Sequence, residues 1–205
     1  MIEKVNLIAE SESETSEAQQ RVLDVAETLF MRQGYSAITL RDIADALDIR
    51  QASLYYHFPK GKEQIYVTMA ERLFERHRAG LETAIAACDV AISPQLTAAA
   101  EWFAGQPPMN LSSMMHADMP ALSPEAAAHI RGAAYACVFT PLRGIFLDAQ
   151  ARDETRTMNP DVMAGMFLAI LDSAHYSGSG PGIPTRASMF NDIIKVVLDG
   201  LRPRP

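Results

Sequence analysis

Residues 39–58 run TLRDIADALDIRQASLYYHF, two short helical patterns separated by a break. Thr39 with Asp42 three places later is the spacing of a reciprocal helix cap, and Ile38 and Ile43 fall at the positions of a hydrophobic staple. A short helix over about Leu40–Leu47 follows, with Ile43, Ala44 and Leu47 on one face. Asp48, Ile49 and Arg50 break it, and a second short helix runs from Gln51 until Pro59 and Gly61 end it. Two short helices joined by a three-residue turn make the arrangement that lays a recognition helix in the major groove. Many all-α proteins contain such corners, so the spacing alone does not decide the matter. The second helix adds chemistry. Gln51, Ser53, Tyr55, Tyr56 and His57 offer hydrogen-bonding groups to bases or phosphates, while Leu54 and Phe58, four apart, remain for the core.

Outward from this stretch the pattern stays helical. Towards the N-terminus Val22, Val25, Ala26, Leu29 and Phe30 recur at helical spacing, with Ser16 and Gln19 as a capping box and Gly34 as a stop. Residues 1–15 carry Glu3, Glu10, Glu12 and Glu14 against Lys4 and little apolar content, and read as a disordered acidic arm. Towards the C-terminus, helices are expected over about 62–87, 94–105, 124–153 with a kink at Pro141, 160–176 and 186–201. Ser93-Pro94, Ser123-Pro124 and Asn159-Pro160 each place a capping residue before a proline at the first helical position. Residues 107–122 are rich in Pro and Met, and 177–184 read as a loop. No strand alternation appears, so the expected fold is all-α: an arm (1–15), a three-helix helix-turn-helix domain (16–65) and a second helical domain (66–205).

Composition bounds the function. The chain has 205 residues, 48% of them hydrophobic and 21% charged, the range of an ordinary globular protein. Its net charge of −7 argues against indiscriminate nucleic-acid binding. Residues 16–65 nearly balance, six bases against seven acids, so any DNA contact must come from a patch assembled by folding. The longest apolar run, Val162–Leu171, is far short of a membrane span, and no signal-peptide core is visible, so a cytoplasmic location is expected. Cys88 and Cys137 match neither metal-ligand nor redox spacing. His77, His116, His129 and His175 are scattered, with no metalloprotease pattern, nucleophile elbow or phosphate loop, and Glu125 with His129 reads as a surface pair. No enzyme, metal or cofactor is implied.

The residues from Arg21 to about Ile65 resemble the tetracycline-repressor (TetR) family of bacterial transcriptional regulators. The resemblance rests on Ala26, Leu29, Phe30, Gly34-Tyr35, Thr39, Ile43-Ala44, Leu47, the run from Ser53 to Phe58, and Lys62-Glu63. It implies a homodimer on a palindromic DNA operator, with Gln51, Ala52 and Tyr55 near base edges and Thr39, Tyr56, His57 and Lys62 on phosphates. Arg41 and Ser53 complete the candidate set. Arg50 stands where the family often has a capping Ser or Thr and becomes a further contact candidate; either Lys60 or Lys62 is the phosphate ligand.

The remaining 140 or so residues are then expected to sense and to dimerise. In the resembled family the last two helices form a four-helix interface. Here Met163, Phe167 and Ile170 on one helix, and Phe190, Ile193, Ile194 and Val197 on the next, are the candidates. Trp102, Phe103, Met114, Met115, His116, Tyr135, Phe139 and Phe167 are candidate walls of an effector pocket, since methionine and aromatic groups suit an apolar or aromatic small molecule.

Overall fold

The computed structural model describes residues 2–175 and 186–202, with side chains for 17–173 and 188–202; the loop expected at 177–184 lies outside them. The chain is all-α. Its helices are α1 (Ile2–Gln33), α2 (Leu40–Ala46), α3 (Gln51–His57), α4 (Lys62–Ala86), α5 (Ile92–Ala104), α6 (Leu111–Ser113), α7 (Pro124–Ala134), α8 (Thr140–Ala151), α9 (Pro160–His175) and α10 (Arg186–Leu201). A π-helical turn (Met114–Asp118) and a 3₁₀ turn (Met119–Ala121) extend α6, and a second π-helical turn (Tyr135–Phe139) joins α7 to α8. Among the described residues no helix is long and apolar enough to cross a membrane.

Local chemistry explains most helix ends. Gly34, at φ +81°, closes α1 by returning its N–H to the Phe30 carbonyl at 2.8 Å. At the end of α2, Ile49 N–H bonds Ala44 O and Asp48 N–H bonds Asp45 O, at 3.0 and 3.2 Å. That pair is a Schellman motif with Asp48 at φ +54°, a left-handed position that Asp fills more readily than most residues. Ser123 Oγ accepts from Ala126 N–H, and Asn159 Oδ1 from Asp161 N–H, so both caps form as expected.

Three expectations change. The backbone of α1 is helical from Ile2, where an unordered arm was expected, and Ser16 lies inside the helix instead of capping it. α5 begins at Ile92, ahead of Ser93, because Glu154 Oε2 accepts the Ile92 N–H at 2.7 Å and supplies a cap from 62 residues away. The interruption expected at Pro141 falls just before it. Proline lacks the N–H to continue the ladder, and Thr140 turns both its N–H and its hydroxyl (3.1 Å) back to the Tyr135 carbonyl.

The chain forms two compact units, one of residues 1–72 with Ser113–Ile130, the other of Leu73–Ser112 with 131–205. In the first, Val22, Ala26 and Phe30 of α1, Ile43 and Ala44 of α2, Leu54 of α3, and Ile65, Tyr66 and Met69 of α4 are buried. Met114, Met119 and Ile130 of the later segment are buried too. In the second unit α5 packs on α8 and α10, and α9 on α8 and α10, burying Leu96, Phe103, Leu142, Phe146, Phe167 and Ile194. Gly80 is required there, since a Cβ would fall 2.0 Å from the Trp102 ring.

Candidate nucleic-acid interface

The interface is built on α2, the turn and α3. Thr39 caps α2 reciprocally: its hydroxyl and N–H donate to Asp42 Oδ2 at 2.6 and 2.7 Å, and Asp42 N–H donates to Thr39 Oγ1 at 3.2 Å. These bonds from Thr39 hold the Asp42 carboxyl below the usual carboxylate range. The Thr39 hydroxyl proton is therefore committed within the protein. Arg41 is exposed and loosely paired with Asp45 at 3.7 Å.

α3 is held by two anchors and presents the rest. Leu54 and Phe58 are 1% and 3% exposed, whereas Tyr55 is 47% and Tyr56 77% exposed. Gln51, Ala52 and Ser53 are exposed on the first turn, and Arg50 precedes it in extended conformation without a side-chain cap. His57 is half-buried with Tyr56 edge-on at 5.0 Å, and its Nδ1 is buried without a hydrogen-bond partner. Tyr55 lies over Gly61, whose φ of +70° makes the turn into α4. An amphipathic helix whose outward side is polar and aromatic, at the surface of its unit, can reach base edges and phosphates.

The two lysines have different tasks. Lys62 Nζ donates to the carbonyls of Tyr35 (2.8 Å) and Ile38 (2.9 Å) and sits 3.9 Å from the centre of the Tyr35 ring. Burial pulls its ammonium pKa down, opposed by the nearby Asp118 charge. Lys62 thus fastens the loop that leads into α2. Lys60 is exposed, and its N–H bonds Gln64 Oε1 at 2.9 Å. The Lys62 donors already have partners within the protein, whereas the Lys60 side chain is exposed.

Other candidates are redistributed. Met163, Phe167, Phe190 and Ile194 are buried within the subunit, so they cannot form a subunit contact face; their apolar spacing fits packing on the subunit's own α5 and α8 equally well. Ile170, Ile193 and Val197 are half-buried, and the outward apolar residues are Val162, Met166 and Val196, at 52%, 48% and 73% exposure. The eight pocket candidates divide between the units. Met114 (buried), Met115 (half-buried) and His116 (exposed) belong to the first, and Trp102, Phe103, Tyr135, Phe139 and Phe167 to the second. In the second, Phe103 and Phe167 are core, Tyr135 stacks on Phe139 at 6.1 Å, and the Trp102 indole N–H donates to His77 Nδ1 at 3.3 Å. His129 pairs with Glu71 at 2.6 Å. Cys88 and Cys137 are free thiols, and burial pushes the Cys137 thiol up.

Sequence reasoning missed Asp118, Tyr66 and the true task of Lys62. Asp118 is 4% exposed and accepts from Tyr35 N–H and Tyr66 O–H, each at 2.8 Å. Burial and this bond push the Tyr66 phenol far above its ordinary value. No local signal marks a partner 83 residues from Tyr35.

Comparison with known proteins follows the same division. The profile of bacterial regulatory proteins, tetR family, matches residues 22–69. Over 54 residues the chain is 44% identical to the biofilm operon icaADBC HTH-type negative transcriptional regulator IcaR of Staphylococcus epidermidis, a match covering 26% of this chain and 29% of that one. Among solved structures, a regulatory protein of the tetR family from Rhodococcus RHA1 superposes with TM-score 0.74 at 18% identity, covering 92% of this chain and 98% of that one. AibR in complex with isovaleryl coenzyme A and operator DNA gives 0.69 at 19%, over 87% and 96% of the two chains. A putative regulator from Saccharomonospora viridis in complex with choline gives 0.72 at 19%, over 92% and 100%. At these identities the structures speak for the fold alone. The family model thus matches the helix-turn-helix region at residues 22–69, and the all-α fold is shared with these solved structures over most of the chain's length.

Proposed function

We propose that the protein is a DNA-binding transcriptional regulator, a repressor that binds a palindromic operator as a homodimer and leaves it when a small molecule binds. The observation that carries the reading is α3: a helix anchored by Leu54 and Phe58 that turns Gln51, Ala52, Ser53, Tyr55 and Tyr56 outward between Arg50 and Lys60. Gln51, Ala52 and Tyr55 are assigned to base edges, and Tyr56, His57, Arg41, Arg50 and Lys60 to phosphates. IcaR, matched over this domain, is a negative regulator, and AibR carries operator DNA on the same fold.

The dimer is assigned to the outward faces of α9 and α10, where Val162, Met166 and Val196 leave apolar surface in water beside Ile170, Ile193 and Val197. The effector is assigned to the second unit, with Trp102, Tyr135 and Phe139 as candidate contacts. Structural neighbours carry isovaleryl coenzyme A and choline, and for this chain the aromatic residues favour an apolar or aromatic compound. Release by effector requires that operator DNA weaken the effector by the same factor.

Fluorescence anisotropy with a labelled random duplex tests the reading. Affinity should fall steeply as salt rises, since phosphate contacts release counterions. Replacing Gln51 and Tyr55 together by Ala should abolish preference for a selected duplex over the random one. Absence of binding at low salt, or binding indifferent to salt, would refute the assignment.

A further inference from the structure

We infer that Asp118, far from the helix-turn-helix in sequence, is a positioning residue for DNA binding, clamping the peptide that leads into α2 so that α2 and α3 are held in their reading orientation. The inference rests on the regulator reading and adds to it a part of the chain outside residues 22–69.

The clamp has two sides. Asp118 Oδ1 accepts the Tyr35 N–H at 2.8 Å, and Lys62 Nζ donates to the Tyr35 carbonyl at 2.8 Å and to the Ile38 carbonyl at 2.9 Å. One peptide segment is thus gripped by a carboxylate from one direction and an ammonium from the other. Ile38 is followed by Thr39, the cap of α2, so whatever fixes residues 35–38 fixes the start of α2 and, through the short turn, α3. The site is fitted to the contact. A Cβ on Gly34 would lie 3.2 Å from Asp118 Oδ1, so glycine serves both the left-handed turn and the approach of the carboxylate.

The other oxygen is also satisfied. Oδ2 accepts the Tyr66 hydroxyl at 2.8 Å, and Tyr66 is fully buried in α4 with its ring edge-on to Phe30 at 5.1 Å and to Tyr35 at 4.9 Å. A carboxylate this buried is costly unless each oxygen is bonded, which makes the arrangement specific in position. Asp118 reaches the site because the π-helical turn Met114–Asp118 ends on it, with Met114 and Met119 buried on either side. The same segment is fastened to α4 at two further points: Glu63 accepts from the N–H and hydroxyl of Ser123, each at 2.8 Å, and Glu71 bonds His129 at 2.6 Å. The unit that holds α2 and α3 is therefore completed by Ser113–Ile130, and the Asp118 carboxylate ties that segment directly to the peptide leading into α2.

The test uses the full chain with Asp118→Ala, Asp118→Asn and, as control, Glu71→Gln, which alters the exposed pair with His129 and leaves the Asp118 contacts in place. Duplex affinity at fixed salt and exchange of the Tyr35 amide proton are measured on each. Asp118→Ala should weaken duplex binding about tenfold or more, and Asp118→Asn, which keeps one acceptor oxygen, about threefold. Tyr35 amide exchange should quicken in the same order, while Glu71→Gln leaves both unchanged. If Asp118→Ala does not fold, the Asn variant decides by the same two readings. A folded variant with wild-type affinity, or one that loses affinity while Tyr35 stays fully protected, would overturn the inference and leave the regulator reading standing. A wild-type chain that binds no duplex would overturn the regulator reading first and this one with it.

Discussion

Exchanging the two lysines at the start of α4 separates stability from DNA contact. Lys62→Met keeps the length of the side chain and removes its ammonium, leaving the Tyr35 and Ile38 carbonyls without their donor and the Tyr35 ring without its cation. Hydrogen bonds to a charged group contribute about 1.5–3 kcal/mol, reduced here to about 1 kcal/mol each because Lys62 is half-buried and water can substitute. The ring contact adds about 0.5–1 kcal/mol. The loss should be about 2–3 kcal/mol, and at about 2–4 °C per kcal/mol for a chain of this length, Tm should fall by about 5–10 °C in a circular-dichroism melt. Lys60→Ala, which removes an exposed side chain, should leave Tm within about 2 °C, since surface changes are usually within about 0.5 kcal/mol. In the duplex titration, however, it should lower the slope of log affinity against log salt by about 0.9, the loss of one phosphate contact. An unchanged melt for Lys62→Met, or an unchanged salt slope for Lys60→Ala, would refute the assignment of the two tasks.

Replacing Tyr56, 77% exposed on α3, with Phe should weaken binding to all duplexes alike, since a phosphate contact positions without reading sequence; a change in base preference in a competition assay would make it a base reader. Met166→Glu should give monomers on a sizing column, whereas a mutant that stays dimeric would move the interface off α9. Glu154 has its carboxyl held below the usual range by Arg152 and by the Ile92 N–H, so the stability it contributes is present above its unfolded value of about 4.3 and is lost as pH falls through the lower folded value. Glu154→Gln should therefore flatten the decline of Tm between about pH 5 and 3, and an unaltered decline would show that the cap on α5 contributes nothing.

Much of the DNA-binding corner was legible because its signals are local. Thr39 and Asp42 are three apart, Leu54 and Phe58 four apart, and each pair does in the fold what the spacing implies. The left-handed turn at Asp48 was not legible, since Asp in place of glycine argues against a positive φ, yet the motif that imposes it closes within six residues. What stayed hidden depends on partners distant in sequence. Lys62 reads as a cation at a helix start and becomes a structural donor only when Tyr35 and Ile38, 27 and 24 residues earlier, fold against it. Asp118 reads as one acid in a Met-rich stretch and becomes the clamp of a peptide 83 residues away. In α9 apolar residues occur on both sides, and in α10 the apolar side that suggests a subunit contact is the one that packs on α5 and α9; burial assigns Phe190 and Ile194 inward and Val196 outward. The pocket candidates failed to converge for the same reason. Methionine and aromatic residues mark apolar surroundings without saying which of two compact units supplies them.

Two copies of α3 are proposed to read DNA together. The most direct measurement is selection of bound sequences from a random duplex pool by the purified full-length chain. The expected result is enrichment of an inverted repeat whose half-site centres lie about 10–10.5 base pairs apart, or a multiple of that, as two recognition helices on successive major-groove faces require. Recovery of a single unrepeated motif, or of no enriched sequence at all, would contradict it.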